Sequence, residues 1–279
     1  MKLDIKHRSS SIKNKSWLDK YRPNTLNDYM FSNIKDFDKI CSWMDDFMNG
    51  INGTPAILIL CGSPGVGKTT LAELIFKKYR IDYIEFNASD CRSKKSIYNI
   101  LNNITKYTIK FDGKRMRRGL LLDEIDGLST NDRGGIQELM NYINNYKPIK
   151  VTDINDYKEK KKKKKNNNDT ESLKIDKHNS KLFSSKKKPI FKCPIICTCN
   201  KINDKKLMQL VKKNIFIKIE RPCRNTCLEF INKINKIEKI NLSDGCMDEI
   251  YDNSKRDYRQ MIMNLYQLKL DKKYMKSKS

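Results

Sequence analysis

The stretch that decides the fold runs from residue 61 to residue 70 and has the sequence Cys-Gly-Ser-Pro-Gly-Val-Gly-Lys-Thr-Thr. It contains the pattern G-x-x-x-x-G-K-[ST] from Gly62 to Thr69. The apolar run Ala56–Leu60 precedes it, and the amphipathic segment Leu71–Tyr79 follows it. The pattern therefore joins a buried strand to a helix, which is the context that a phosphate-binding loop requires. A glycine-rich turn that binds nothing is the alternative, and the flanking elements argue against it.

The chemistry of this phosphate loop, residues 61–70, follows from its residue types. Glycines let backbone N–H groups close around phosphate oxygens, and the helix N-terminus adds partial positive charge. We expect Lys68 to reach the β- and γ-phosphates of ATP, and the Thr69 hydroxyl to bind Mg²⁺. The predicted nucleotide-binding residues of the loop are Gly62, Pro64, Gly65, Val66, Gly67, Lys68, Thr69 and Thr70.

Two later segments place polar residues that suit a nucleotide site at the ends of predicted strands. The strand Gly119–Leu122 leads into Asp123 and Glu124. Asp123 is suited to hold Mg²⁺ through water, and Glu124 to orient and deprotonate an attacking water. Asn200 follows the apolar segment 194–199, where its side chain can reach the γ-phosphate or the attacking water. In isolation Asn200 is a weak signal, because asparagine often simply ends a strand.

The order of elements predicts an α/β fold. Strands are expected at 56–61, 81–86, 119–123, 194–199 and 215–219, with helices between them and a further helix at Ile34–Phe47. Alternation of strands and helices predicts a mostly parallel sheet covered on both faces. After Pro222 the pattern becomes purely helical, with Ser243 as a cap, so that 17–220 is the expected nucleotide-binding domain and 221–279 a small helical lid domain.

Two segments are predicted to be disordered. One is the basic N-terminus, residues 1–16, and the other is a lysine-rich insertion at 148–188, which includes the unbroken run Lys160–Lys165. The insertion cannot bury a core. It could bind DNA, act as a nuclear signal, or be a tolerated low-complexity insertion.

Composition narrows the class of protein further. The net charge of +25 comes from 58 basic and 33 acidic residues, which favours DNA or RNA as a partner over a membrane; a basic solvated surface is the alternative. The start of the chain does not resemble a signal peptide, and the apolar runs are too short to span a membrane. The nine cysteines lack paired C-x₂-C spacing and only two histidines are present, so we expect reduced thiols of an intracellular protein and no zinc site.

Several local motifs together resemble the clamp-loader family of AAA+ ATPases. The segment 17–23 (WLDKYRP) looks like the box that opens clamp-loader subunits, and 86–90 (FNASD) is similar to their second strand and its exit. The segments 91–96 (CRSKKS), 123–128 (DEIDGL) and 131–139 (NDRGGIQEL) resemble the large subunit of replication factor C. The resemblance covers roughly residues 17–270 and implies an AAA+ P-loop NTPase fold.

The resemblance also implies site roles. Tyr21, Arg22 and Pro23 would lie at the adenine. Asn200 would be the first sensor, and Arg259 the second sensor, touching the γ-phosphate from the last lid helix; an exposed helical arginine is the alternative for Arg259. The implied catalytic set is Lys68, Glu124, Asn200 and Arg259, and the implied Mg²⁺ ligands are Thr69 and Asp123.

The implied function is ATP-dependent loading of a sliding clamp onto primer–template DNA, at the nucleus or another site of DNA replication. The chain would act in a hetero-pentamer with small clamp-loader subunits. Segment 207–222 lacks the Ser-Arg-Cys box of those subunits, so a neighbour is expected to supply the arginine finger, and ATPase activity alone is expected to be weak. The family's collar domain and long N-terminal extension are not expected within this chain.

DNA contacts are implied for Arg92, Lys94, Lys95 and Arg133, which would track phosphates; solvated surface or contacts to neighbouring subunits are the alternatives. Two other functions remain open. One is another AAA+ protein, such as an origin or helicase loader, against which the 86–90 and 132–139 boxes argue. The other is a binding module that uses ATP without hydrolysis, against which Glu124 argues.

Overall fold

A computed structural model of the chain describes residues 16–29, 34–51, 53–88, 97–101, 109–111, 114–116, 118–130, 135–144 and 193–278. Residues 1–15 and the lysine-rich insertion at 148–188 lie outside the described residues. So do four residues for which DNA contacts are predicted: Arg92, Lys94, Lys95 and Arg133.

A parallel sheet of five strands forms the centre of the structure. The strands are β1 (Ile57–Gly62), β2 (Asp82–Asn87), β5 (Arg118–Asp123), β6 (Ile195–Cys199) and β7 (Ile215–Ile219), in the spatial order β2-β5-β6-β1-β7. All neighbouring pairs are parallel. A separate antiparallel hairpin consists of β3 (Ile109–Phe111) and β4 (Lys114–Met116).

The helices fall between and after the strands. They are α1 (Trp17–Lys20), a 3₁₀ helix (Leu26–Asp28), α2 (Ile34–Asn49), α3 (Lys68–Lys78), α4 (Gly127–Thr130), α5 (Gly135–Asn144), α6 (Lys205–Lys212), α7 (Arg224–Glu238), α8 (Asp244–Ser254) and α9 (Tyr258–Lys278). Residues 97–101 are also helical.

Two hydrophobic layers cover the two faces of the sheet. Strands β1, β5 and β6 alternate their side chains between the layers, because successive residues of a strand point to opposite faces. One layer packs Leu58, Leu60 and Leu121 against α2 and α3. The other packs Ile57, Leu120 and Ile195 against the helical segment at 97–101, α5 and α6. Burial on both faces explains why these strands are continuous apolar runs in the sequence.

Helices α7, α8 and α9 enclose a third hydrophobic cluster of their own. Ile231 and Ile234 of α7 meet Ile250 of α8 and Met261 and Leu265 of α9. Ser243 caps α8, since its side chain accepts a hydrogen bond from the N–H of Cys246. Trp17, Leu18 and Tyr21 pack against this cluster, so the first described helix and the residue after it lie against the C-terminal helical unit.

The sheet confirms the predicted fold class and all five strand positions to within one residue. The hairpin β3–β4 was not predicted from the sequence. Its signal is the dipeptide Asp112-Gly113, which follows the alternating apolar and basic residues of 109–111 (Ile-Lys-Phe). Asp-Gly is a strong hairpin indicator when alternating residues flank it. Within the described ranges, no helix combines the length and apolar character that crossing a membrane requires.

The close packing of β5 against α3 generates a stability prediction. A Cβ on Gly119 would lie 2.4 Å from Cε1 of Phe76, which is fully buried and stacked on Tyr83. We expect Gly119→Ala to lower the free energy of unfolding by about 1–3 kcal/mol, because the ring has no room to yield. Gly245→Ala in α8 is the control, since nothing lies within 4 Å of its Cβ position.

The control should leave the free energy of unfolding unchanged or raise it by up to about 1 kcal/mol, because alanine is the better helix former. Urea denaturation followed by circular dichroism measures both variants. Equal stabilities of the two variants would show that the contact between Gly119 and Phe76 is not a tight one.

Candidate nucleotide site

The candidate site lies where three parallel strands end side by side. In the register, Cys61 of β1 pairs with Cys199 of β6, and Leu122 of β5 pairs with Cys197 of β6. The residues that follow these pairs are therefore brought to one edge of the sheet. This edge gathers the phosphate loop, the acids Asp123 and Glu124, and Asn200.

The phosphate loop has a backbone that requires its glycines. Gly65 and Gly67 have φ angles of 74° and 95°, in the left-handed region that side chains disfavour. A Cβ on Gly62 would lie 2.4 Å from the carbonyl oxygen of Ile219 in the neighbouring strand. Gly67 is also the N-cap of α3 and has no side chain to occupy the first N–H groups of that helix. These N–H groups are therefore available to an anion, as at other helix N-termini.

Lys68 links the phosphate loop to the end of β6. Its Nζ donates to the carbonyl oxygens of Gly62 at 2.8 Å and Ser63 at 3.0 Å, and to Oδ1 of Asn200 at 2.9 Å. The residue is only 9% exposed. Burial lowers the pKa of Lys68 from its ordinary value, and the carboxylate of Asp123 opposes this effect. The ammonium thus lies beside the phosphate loop. A bound phosphate group would replace its neutral carbonyl partners with a negatively charged partner.

Thr69 and Asp123 form the pair that fits a divalent cation. The Thr69 hydroxyl donates to both carboxylate oxygens of Asp123, at 3.1 Å each. A hydroxyl and a carboxylate are the oxygen ligands that Mg²⁺ prefers, usually with water and phosphate oxygens completing its shell. The residues present therefore fit a magnesium ion bound together with a nucleotide. The described part of the chain contains no group of three or more His, Cys, Asp or Glu that could hold a metal ion by itself.

Glu124 is the exposed acid at this edge, and its backbone is unusual. Its φ angle of 58° lies in the left-handed region, which is uncommon for a residue with a side chain. Its N–H donates to Oγ1 of Thr198 at 3.1 Å, and its Oε2 accepts from Nδ2 of Asn87 at 3.4 Å. Glu124 therefore projects from the sheet edge toward the solvent side, where a general base could act on water.

Hydrogen bonds fix both the backbone and the side chain of Asn200. Its N–H donates to Oδ2 of Asp126 at 3.2 Å, while its side-chain oxygen accepts from Lys68. The amide is thus fixed beside the ammonium, at the end of the strand next to the phosphate loop. This position agrees with a side chain that reaches the terminal phosphate, and the role itself stays a prediction.

The start of α9 contacts the phosphate loop directly. The N–H of Tyr258 donates to the carbonyl oxygen of Gly65 at 3.2 Å, and a Cβ on Gly65 would lie 1.9 Å from Cγ of Asp257. Oδ1 of Asp257 also accepts from the N–H groups of Arg259 at 2.8 Å and Gln260 at 3.2 Å, which caps the helix. Arg259 is therefore fixed in the first turn of α9, and its side chain is exposed.

The segment 20–23 contacts two separate parts of the structure, namely α3 and the C-terminal helices. Nε of Arg22 donates to Oγ1 of Thr70 at 3.1 Å, and its guanidinium pairs with Glu73 of α3 at 2.9 Å. The hydroxyl of Tyr21, in contrast, donates to Glu238 at the end of α7. Pro23 follows directly in the chain. The segment therefore connects the helix of the phosphate loop with the three C-terminal helices, and a role at the adenine stays a prediction.

Sequence reasoning missed three residues of this region: Thr198, Asp257 and Glu238. Asp257 precedes a helix, so its capping role had a local signal. Thr198 and Glu238 make their contacts with residues distant in the chain, and one sequence gives no signal for those pairs.

The chain belongs to the ATPase family associated with various cellular activities (AAA), because the model of that family matches residues 58–219, more than half of the chain. The match covers the phosphate loop, Asp123, Glu124 and Asn200, and it confirms the predicted AAA+ class of fold. The class that this fold and site define is therefore that of an ATPase family.

Curated relatives are replication factor C subunits. The large subunit from Methanococcus vannielii is 41% identical over 145 residues, which covers 51% of this chain and 28% of the relative. Subunit 1 from Schizosaccharomyces pombe is 28% identical over 291 residues, covering 96% of this chain and 26% of the relative. Subunit 1 from Oryza sativa is 25% identical over 93% of this chain and 24% of its own length. The chain thus spans about a quarter of the length of these relatives.

Solved structures show the same fold at low identity. A mutant RuvB from Thermotoga maritima matches with a TM-score of 0.55 and 16% identity, covering 88% of this chain and 64% of the other. A structure described as a DNA replication initiation factor matches with a TM-score of 0.53 and 17% identity over the same shares. At these identities the likeness concerns the fold alone.

The pairing of Glu238 predicts how stability depends on pH. Its side chain is 6% exposed. Burial raises the pKa of this carboxyl, but the hydrogen bonds from Lys20, Lys269 and Tyr21 outweigh burial and lower it from 4.5 to about 2. A depressed folded-state pKa stabilises the fold above the unfolded-state value, and this contribution is lost as pH falls through the folded-state value.

We therefore expect Glu238→Gln to lower stability at pH 7 and to flatten the dependence of unfolding on pH between about 5 and 2. Thermal unfolding by circular dichroism across this range is the measurement. Glu249→Gln on α8 is the control, since it replaces a carboxylate of the same helical unit that lies outside this cluster. A wild-type pH profile in Glu238→Gln would contradict the assigned role of the cluster.

Proposed function

We propose that this chain is the ATP-binding part of a clamp-loader subunit of the replication factor C large-subunit type. The observation that carries the ATPase part is the convergence of Lys68, the pair Thr69–Asp123, and Glu124 at one sheet edge. The clamp-loader part is supported by the similarity to a replication factor C subunit 1 over 96% of this chain and to a replication factor C large subunit over 51% of it.

We assign a different role in binding or hydrolysis to each residue at the sheet edge. Backbone N–H groups of the phosphate loop and the ammonium of Lys68 bind the phosphates of ATP. Thr69 and Asp123 hold Mg²⁺, which when bound neutralises charge on the phosphate oxygens. Glu124 accepts the proton of the attacking water, and Asn200 orients the water or the terminal phosphate. Arg259 completes the site from α9, with Tyr21, Arg22 and Pro23 on the side of the adenine.

Hydrolysis is proposed to need a neighbouring subunit. The segment 207–222 carries no Ser-Arg-Cys box, so this chain would receive an arginine finger and would not provide one. Small clamp-loader subunits, a sliding clamp and primer–template DNA are the proposed partners, at the cellular site of DNA replication. The net charge of +25 favours a contact with DNA phosphates.

Glu124 separates hydrolysis from binding, which gives the first functional test. Glu124→Gln keeps the shape of the side chain but removes the proton acceptor, so turnover should fall by about 10²- to 10⁴-fold. Affinity for a fluorescent ATP analogue should be unchanged, whereas Lys68→Ala should lose it. Phosphate release and fluorescence titration are the measurements, and Glu220→Gln, at an exposed position after β7, is the matched control. Wild-type turnover in Glu124→Gln would favour a binding module that does not hydrolyse ATP.

The second test concerns the neighbour. The isolated chain should hydrolyse ATP slowly, and addition of small clamp-loader subunits should raise turnover by about 10³- to 10⁵-fold, the effect of an arginine finger. Substitution of the finger arginine in the partner should remove the increase without changing assembly. Full-speed hydrolysis by the isolated chain would be incompatible with a shared site.

The third test separates a clamp loader from a helicase loader. The immobilised chain, assembled with small clamp-loader subunits, is incubated with a sliding clamp or with a replicative helicase, in the presence of a slowly hydrolysed ATP analogue. Capture of the clamp that depends on the analogue and is lost in Lys68→Ala supports the proposal. Capture of the helicase in place of the clamp would overturn it.

A further inference from the structure

Thr198 is a polar residue within an otherwise apolar strand. Strand β6 has the sequence Ile-Ile-Cys-Thr-Cys, and all five residues are buried. The side chain of Thr198 is fully buried, with an exposed fraction of 0%. A hydroxyl in such a place is unfavourable unless it makes hydrogen bonds. Its partners therefore indicate why a polar residue occupies the position.

Both partners of the hydroxyl belong to the pair of strand-end acids. Oγ1 of Thr198 donates to Oδ1 of Asp123 and accepts from the N–H of Glu124 at 3.1 Å. An ionised carboxylate can only accept and an N–H can only donate, so the hydroxyl uses its one proton and one lone pair in a fixed sense. The carbonyl oxygen of Thr198 also accepts from the N–H of Ile125 at 2.9 Å.

These contacts act on the two acids in different ways. For Asp123, the bond from Thr198 fixes the rotation of the carboxylate, whose two oxygens also accept from Thr69. For Glu124, the bond secures a backbone with a φ angle of 58° that the residue would otherwise avoid. The placement of both acids therefore depends on one hydroxyl that lies behind them in the sheet.

The neighbours of Thr198 show that the position does not need a hydroxyl for packing. Cys197 and Cys199 face the opposite layer, and Ile196, two residues earlier, shares the face toward α3 as an apolar residue. Valine has the shape of threonine and would fill the same space. The hydroxyl is thus accounted for by its bonds to Asp123 and Glu124.

From this geometry we infer that Thr198 is a positioning residue of the ATPase site, which sets the orientation of Asp123 toward Mg²⁺ and of Glu124 toward the attacking water. The inference rests on the proposed binding of ATP with Mg²⁺. It adds a fully buried residue that acts through the two acids. Partners of this kind, one layer behind a metal ligand, typically change metal affinity or activity by 10- to 100-fold when removed.

The test compares Thr198→Val, which removes only the hydroxyl, with Thr198→Ser, which keeps it. Ile196→Val is the matched control, because it changes a buried residue of the same strand and face that makes no side-chain hydrogen bond. Binding of a fluorescent ATP analogue is titrated over a range of Mg²⁺ concentrations and in EDTA. Phosphate release is measured in parallel.

We expect Thr198→Val to raise the Mg²⁺ concentration for half-maximal nucleotide binding by about 10- to 100-fold, and to lower turnover at saturating Mg²⁺. Binding in EDTA should match the wild type, and Thr198→Ser and Ile196→Val should behave as the wild type throughout. If Thr198→Val does not fold, Thr198→Ala takes its place against Thr198→Ser.

The failures of the two proposals are distinguishable. A wild-type chain that binds no nucleotide at any Mg²⁺ concentration overturns the proposed function, and this inference with it. A wild-type chain that binds Mg–ATP, together with an unchanged Mg²⁺ requirement in Thr198→Val, overturns the inference alone. An equal loss of binding with Mg²⁺ and in EDTA also overturns it, because the hydroxyl would then serve folding and not the acids.

Discussion

The arrangement of the site depends on the hydrogen bonds of the buried Lys68 ammonium group. A buried cation is stable only when it is surrounded by acceptors. Here the acceptors come from the end of β1 and from Asn200 at the end of β6, so the charge holds two strand ends at a fixed separation. Thr69, the next residue, contacts Asp123 at the end of β5. Two adjacent residues of one helix thereby tie together three strands.

The contacts to the C-terminal helices extend this arrangement beyond the sheet. Tyr258 bonds to the carbonyl of Gly65, and Glu238 gathers Tyr21, Lys20 and Lys269. Arg22 bonds to the helix of the phosphate loop from the same segment as Tyr21. The loop that would bind phosphate is therefore connected to the helical unit on two sides. Changes at the nucleotide are expected to reach the helices through both connections.

Strands and motifs that depend on local sequence pattern were predicted, whereas hydrogen bonds between residues distant in the chain were not. Buried strands appear as apolar runs, and the phosphate loop is a contiguous motif, so both were found. The positions of Asp123 and Asn200 at one edge follow from their places at the ends of parallel strands, while their roles stay predictions. The bonds of Thr198 to Asp123 and of Glu238 to Tyr21 join residues far apart in the chain, and no periodicity encodes them. The hairpin β3–β4 is an exception, because its Asp-Gly signal is local in the sequence.

The attachment of α9 to Gly65 has a mechanical consequence. Helix α9 contains 21 residues, and its first residue is bonded to the phosphate loop. At a rise of 1.5 Å per residue such a helix is about 30 Å long. Tilting it by about 5° at Gly65 would displace its far end by about 2.5 Å, which follows from that length. A small shift of the phosphate loop would therefore be amplified along α9. A surface that contacts the far end of the helix would move by several times the displacement at Gly65.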